Sequence, residues 1–418
     1  MTSLLFVIQR YGREVAGGAE LLGREFATRL AARGHRVDVL TSCALSYIDW
    51  ANHYPAGTEE LDGVSVHRLP VTTGRDDALF TPLNTRVAWG HRPHPLYLEH
   101  AWMRAQGPYL PELVPWLLER ASGYDVVSFF TYLYYPTWAG LPAAASVGPT
   151  ILHPTAHDEP PLYLDLFRTM FHHPSAFGFL TEEEGALVER RFRPGRPYEI
   201  VGVGIDVERH EGFDSAAFRE RFEVGDRPYL LFVGRVDPAK GSEELLDYFA
   251  AYKKRNPGPL VLAIVGDPVR PLDPHPDVIV TGFVDDAVKQ SALSGALALV
   301  QPSYFESFSM ILSEAWAHRR PALVQGHCDV LEGQCRRSGG GIPYRGFAEF
   351  EAAVDLLIDD TDLCRRLGAA GRRFVEERYT WDTVLHRYEH LVALAQRAWP
   401  NATTGSGRPS EWRSSPKP

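Results

Sequence analysis

The feature that most constrains the fold is an alternation that runs through almost the whole chain: short apolar runs separated by helical stretches. In the first half, LLFVI (4–8), RVDVLTS (36–42), VSVHRLP (64–70), DVVSFF (125–130), TILHP (150–154), AFGFL (176–180) and EIVGVG (199–204) read as strands. Strands that alternate with helices are the mark of parallel α/β sheets. A helix from Ala19 to Arg33 separates the first two strands and ends at Gly34, a natural C-cap. The segment 74–110 is long, aromatic and Pro-containing, and reads as an elaborated loop plus helix.

GVGIDVERHEGFD (202–214) reads as a domain junction, after which the alternation restarts. YLLFVG (229–234), LVLAIVG (260–266), VIVTGF (278–283), ALALVQPS (296–303) and PALVQ (321–325) are the strands of this second half. A chain of 418 residues exceeds one core and suits two or three domains. The expected division is a first Rossmann-like domain over 1–203, a second over 204–379, a last helix over 380–399 and a disordered tail over 400–418. Two doubly wound α/β domains facing each other would place a central cleft at the carboxyl ends of both sheets, where the loops carry function.

Composition excludes several classes. A net charge of −10 argues against nucleic-acid binding. It disfavours tight docking on anionic lipid, while leaving peripheral membrane contact open. No apolar stretch approaches bilayer-spanning length. Four cysteines without zinc-ligand spacing read as free thiols in a reducing cytoplasm. His91, His94 and His100 lie close in sequence, but Pro93 and Pro95 break regular geometry and no cysteine or carboxylate completes a ligand set. No metal and no cofactor are expected. Monomer and dimer are both compatible with the sequence.

The chemistry concentrates in SYFESFSMILSEAWAHRRPALV, where Glu306 and Glu314 stand eight positions apart. Phe308, Ile311, Leu312, Ala315 and Trp316 form a buried helical stripe with Glu314 off it and Glu306 in the preceding turn. The amides of Phe308, Ser309, Met310 and Ile311 would be the open donors of a helix start, an anion site. At about 1.5 Å per helical residue, Glu314 falls roughly 9–10 Å from the turn, the reach of a sugar–diphosphate–nucleoside. Two glutamates so spaced also suit a solvated helix face.

Other loops add candidates. LLFVGRVDPAKG (230–241) sets Arg235 and Lys240 five residues apart across a turn containing Pro238, two cations within reach of one diphosphate or a surface basic pair. AGGAE (16–20) carries Gly17 and Gly18 before a helix start, permitting close backbone approach. No G-x-G-x-x-G is present, which disfavours a dinucleotide dehydrogenase. TAHDEPP (155–161) carries His157 and Asp158. In FFTYLYYPTW (129–138), Tyr132, Tyr134 and Trp138 could form a stacking wall for an acceptor, with at least half of the run in the core.

FESFSMILSEAW resembles the E-x7-E motif of family 4 glycosyltransferases, retaining enzymes of the GT-B fold, and the order of the other motifs agrees over roughly residues 3 to 385. The resemblance implies a metal-independent, hexosyltransferase-type enzyme that moves a sugar from a UDP-, GDP- or dTDP-linked donor to an acceptor hydroxyl. Its first domain would bind the acceptor and its second the donor. The last helix would cross back onto the first domain as a strut for hinge motion. The catalytic group would be Glu306, His157, Arg235 and Lys240. The donor set would be Gly17, Gly18, Arg235, Lys240, Gly266, Phe283, Val284, Glu306, Phe308, Ser309, Met310, Ile311 and Glu314, with the backbone around Phe283 and Val284 on the base. The acceptor set would be His157, Asp158, Tyr132 and Tyr134. Ser307 and Ser309 stand where many relatives have glycine, so Ser309 either crowds the phosphate or donates to it. Asp285–Asp286 is not a D-x-D metal motif.

Two other activities share this fold, nucleotide-sugar epimerisation and sugar phosphorolysis. A silent nucleotide-sugar-binding protein is the alternative outside catalysis. Acceptors from cell-surface polysaccharide to glycolipid or an aminoglycoside-like metabolite fit equally.

Overall fold

A computed structural model describes residues 1–90, 93–237 and 240–404. His91, Pro238 and most of the expected tail therefore lie outside the described residues. The chain forms two compact units. The first comprises Met1–Phe179, Gly185–Val201 and the chain from Arg387 onward; the second comprises Leu180–Glu184 and Gly202–His386.

The first unit holds an eight-stranded sheet: β1 Ser3–Val7, β2 Arg36–Ser42, β3 Gly57–Leu61, β4 Val64–Leu69, β5 Val126–Phe130, β6 Thr150–His153, β7 Ala176–Phe179 and β8 Tyr198–Ile200. The order is β3-β4-β2-β1-β5-β6-β7-β8, parallel except for the β3–β4 pair. Its central strands are apolar on both faces because helices cover both; β5, VVSFF, is buried throughout. The 74–110 segment contains two helices, Asp77–Val87 and Leu96–Gln106, where the sequence suggested one. Asp76 caps the first of them by accepting from the Ala78 amide at 2.9 Å.

A buried histidine marks the centre of this core. His153 closes β6 and stacks between Phe130 (centroids 4.8 Å) and Tyr388 (5.6 Å). Its Nδ1 sits 3.0 Å from the Gly178 carbonyl oxygen, to which it donates as the neutral tautomer. Burial pulls its pKa from 6.5 down to about 3. Tyr388 belongs to the helix Trp381–Thr404, which runs past the expected end at Trp399.

The second unit holds six parallel strands: β9 Tyr229–Val233, β10 Val261–Val265, β11 Val278–Val280, β12 Ala298–Gln301, β13 Ala322–Gln325 and β14 Gly341–Tyr344. Their order is β11-β10-β9-β12-β13-β14. The chain steps outward from β9 through β10 to β11, then restarts at β12 on the other flank of β9. The winding direction thus reverses between β9 and β12. Doubly wound sheets bind ligands beyond the carboxyl ends of the strands at such a reversal. The first sheet has its own reversal between β1 and β5.

Candidate functional site at the strand reversal of the second unit

Because all six strands of the second sheet are parallel, the loops that leave their carboxyl ends share one edge. The loop after β9 carries Arg235 and Lys240, and the loop after β12 carries Glu306 to Ser309. The two meet through their backbones. Gly241 has φ 70°, and a Cβ there would lie 2.2 Å from the Pro302 carbonyl oxygen. Gly266, after β10, has φ 144°; a Cβ there would lie 2.1 Å from the Gly234 carbonyl oxygen. Only glycine permits these approaches.

Cation–carboxylate pairs line this edge, among them three that involve the candidate residues. Lys240 Nζ lies 2.8 Å from Glu306 Oε1, Arg235 Nη2 lies 2.9 Å from Asp237 Oδ2, and Lys289 Nζ lies 2.7 Å from Glu314 Oε2. The Lys240 side chain is 43% exposed and Glu306 only 12%, so the cation faces solvent while the carboxylate is held from below. Gln301, the last residue of β12, does the holding: its Nε2 donates to Glu306 Oε1 and to Ser309 Oγ, both at 3.1 Å. Ser309 takes left-handed backbone (φ 68°), uncommon for a residue with a side chain. It starts the helix Met310–Ala317, and no side chain caps that start. Phe308 is buried ahead of the helix, and Met310 and Ile311 open its first turn.

Glu314 is fixed by a network that the sequence did not reveal. The Gln290 amide oxygen lies 2.7 Å from His210 Nδ1 and 2.6 Å from His318 Nε2, so both rings donate to it. That orients the amide nitrogen of Gln290 toward Glu314 Oε2 at 3.5 Å and Asp286 Oδ1 at 3.3 Å. Burial, with His210 and nearby cations adding to it, pulls His318 from 6.5 down to about 3. Burial likewise pulls Lys289 down, but Glu314 and Asp286 more than restore it, and its pKa ends above the ordinary value. Asp285 caps the helix Asp286–Gly295 through the Val288 amide at 2.9 Å. Asp285 is thus committed to the cap, and Asp286 to Lys289 and Gln290 in the same helix and to Arg209 outside it at 2.9 Å.

The loop after β11 has part of its backbone already engaged. The Phe283 amide already donates to Asp267 Oδ1 at 3.0 Å, and its ring is 84% exposed. The Gly266 amide donates to the Gly282 carbonyl at 3.0 Å, and the Val284 side chain is buried. The Phe283 ring is the exposed side chain of this loop.

The first unit places its candidates around its own reversal. Gly17 (φ 151°) caps the helix Gly18–Ala32, and both glycines are exposed. The loop before them is tied down by Arg10, which pairs with buried Glu20 and donates to the Leu45 and Ala16 carbonyls at 2.9 Å each. Thr131 and Thr155 take left-handed backbone (φ 63° and 48°) just beyond β5 and β6, ahead of the aromatic run and of His157. His157 Nδ1 lies 3.6 Å from Glu159 Oε1, and Asp158 accepts from the Tyr163 hydroxyl at 2.5 Å. Tyr132 corrects the acceptor set. It is buried, its ring packs edge-on against Phe167, and its hydroxyl donates to Glu159 at 3.0 Å. It is a core residue that orients Glu159, not a stacking surface. Tyr134 is half-buried, edge-on to Trp50 at 5.2 Å.

The chain is similar to known glycosyltransferases. Residues 214–374 match the family described as Glycosyl transferases group 1. The chain is 25% identical to the glycogen synthase of Mycobacterium tuberculosis (strain CDC 1551 / Oshkosh), covering 94% of this chain and 95% of that protein. It is 26% identical to the D-inositol 3-phosphate glycosyltransferase of Frankia alni, covering 93% and 98%. Among solved structures, it resembles Anabaena Alr3699/HepE in complex with UDP and glucose, with a TM-score of 0.65 at 16% identity over 94% of this chain and 100% of that one. Among the described residues, no helix is long and apolar enough to cross a membrane. The chain is a glycosyltransferase of the GT-B fold, and its residues 214–374 are similar to the glycosyl transferases group 1 family.

Proposed function

We propose that the enzyme transfers a sugar from a nucleotide-diphosphate donor to an acceptor hydroxyl with retention at the anomeric carbon and without a metal ion. The observation that carries this reading is the Lys240–Glu306 pair beside the uncapped helix start at Ser309. A diphosphate at that helix start offers Lys240 a stronger counter-charge than one carboxylate. Lys240 then turns to the phosphate, and Glu306, still held by Gln301, is free to accept hydroxyls of the sugar. Arg235 adds a second cation. Together with the helix start, the two cations supply charge that a divalent ion would otherwise provide. Glu314, fixed by Lys289 and Gln290, accepts the ribose hydroxyls.

The bond from the anomeric carbon to the phosphate oxygen breaks as the acceptor oxygen bonds to the same face. The acceptor proton passes to the leaving phosphate oxygen, so the products are a glycoside and a nucleoside diphosphate. His157, Asp158 and Tyr134 serve the acceptor side. The Anabaena protein holds UDP and glucose, so a UDP-sugar is the first donor to test.

The test is a panel of UDP-, GDP- and dTDP-sugars, read first by thermal stabilisation and then by nucleoside diphosphate release with and without alcohol acceptors. Stabilisation by at least one nucleotide, persisting in EDTA, is expected. A protein that no nucleotide stabilises overturns the donor reading. A product of inverted anomeric configuration overturns retention, and activity lost in EDTA overturns metal independence.

A further inference from the structure

The opposite edge of the first sheet holds a cavity of about 720 Å³. It lies at the amino ends of the strands: Arg36 and Asp38 open β2, Tyr124 leads into β5, and Trp116 and Arg120 come from the helix Leu113–Arg120. At about 3.3 Å per residue, the seven residues of β2 separate this edge from the carboxyl-end loops by roughly 20 Å. No residue of the donor or acceptor sets lines it.

Asp38 is the floor. It is buried, and its Oδ2 accepts from the Tyr124 hydroxyl at 2.6 Å and from Arg36 Nη2 at 2.8 Å, with His67 Nε2 at 3.8 Å. Among the described residues, no donor is placed on its Oδ1. Burial raises the Asp38 pKa, and its contacts with His67, Tyr124 and Arg36 outweigh that, leaving it at about 2. The group is a permanent acceptor above that pH.

The donors are more exposed, and each lies over an aromatic ring. The Arg36 guanidinium stacks over the Tyr124 ring at 5.2 Å, and that of Arg120 over the Trp116 ring at 5.3 Å. Contact with the ring restrains each guanidinium. Trp116 also meets the His67 ring at 5.2 Å. Glu60 and Glu119 complete the charged lining, leaving it nearly balanced. A balanced set of planar donors and acceptors beside aromatic rings does not select a strong anion or a hydrocarbon. It matches a ring bearing several hydroxyls, each of which must both donate and accept.

We propose that this cavity is a second, non-catalytic carbohydrate site, sized for one to three units of a neutral glycan. Bound there, a growing or polymeric acceptor would be tethered to the enzyme between transfers, raising its effective concentration at the reaction.

Saturation-transfer NMR on the full chain with maltotriose, α-mannobiose and lactose tests it. At least one sugar should give a saturable signal whose affinity falls about tenfold, roughly 1.4 kcal/mol, in Trp116→Ala and Asp38→Asn. Lys240→Ala, which strikes the donor edge, should leave that binding unchanged. Should the first two variants fail to fold, the exposed Arg120→Ala decides in their place. Absence of saturable binding by all three sugars overturns the proposal, as does binding that ignores the Trp116, Asp38 and Arg120 variants. Inorganic phosphate displacing the sugars would overturn it too, by showing an anion site. None of these outcomes depends on which nucleotide the enzyme uses.

Discussion

The Arg10–Glu20 pair of the first unit and the Lys240–Glu306 pair of the second are built from the same materials and put to opposite uses. Each follows the strand at which the winding reverses, beside glycines and ahead of a helix or its turn. Arg10 and Glu20 are 5% and 7% exposed, and Arg10 donates further to two backbone carbonyls. That pair is closed off from solvent and shapes a loop. Lys240 is 43% exposed, and among the described residues it pairs with Glu306, which Gln301 holds independently. That pair is open, because the lysine can leave without collapsing the carboxylate. The lesson is that burial of the cation, not its presence in a glycine loop, separates the two pairs, and it is the open pair that the proposed donor site uses.

The comparison breaks most visibly if the closed pair is opened. Glu20→Ala leaves a buried guanidinium without its carboxylate and should lower stability by about 3–5 kcal/mol, read as a urea midpoint. A loss under 1 kcal/mol would mean the pair is as replaceable as a surface one. Glu306→Gln should lower transfer by about 100- to 1,000-fold while nucleotide affinity stays within a few-fold; normal turnover would remove Glu306 from the chemistry. Lys240→Ala should weaken nucleoside diphosphate binding by about 10- to 100-fold with little change in melting temperature. If melting falls instead and affinity holds, the lysine is scaffold like Arg10.

The gentlest test is pH. His153 in the first unit and His318 in the second both lie at about 3 in the fold, against an ordinary 6.5. Between those values the unfolded chain binds protons that the folded chain refuses. Stability is therefore full above about 6.5 and falls as pH drops toward 3, by at most about 1.4 kcal/mol per pH unit for each histidine. Denaturant midpoints at pH 7 and 5 check the sign, and His318→Gln should flatten the slope. A midpoint that rises on acidification would show that these rings are not buried in neutral form.

Much of the fold was legible because parallel strands covered on both faces must be apolar throughout. LLFVI and YLLFVG announce themselves that way. The strands that escaped lack that signal. GTEEL forms β3 on an exposed antiparallel edge with its side chains largely in water, and GIPY forms the short edge strand β14. Asp77–Val87 was hidden by Pro82 within the helix. Around the donor edge, Arg235, Lys240, Glu306 and Glu314 could be found from spacing along one segment or loop. Gln301, Lys289 and Gln290 could not, because they reach the glutamates from separate elements, and an amide carries no charge to draw attention. Tyr132 was misplaced for the converse reason: a strand's carboxyl end looks open in sequence until the 3-10 turns carrying Phe167 and Phe171 close over it.

The backbone contacts of Gly241 with Pro302 and of Gly266 with Gly234 have a consequence for anyone wishing to retarget the enzyme. A library that randomises positions 241 and 266 should return survivors carrying glycine alone, since any larger residue must push two neighbouring loops apart. New donor preferences must be sought by exchanging side chains such as Phe283, whose exposed ring can be replaced without moving the main chain.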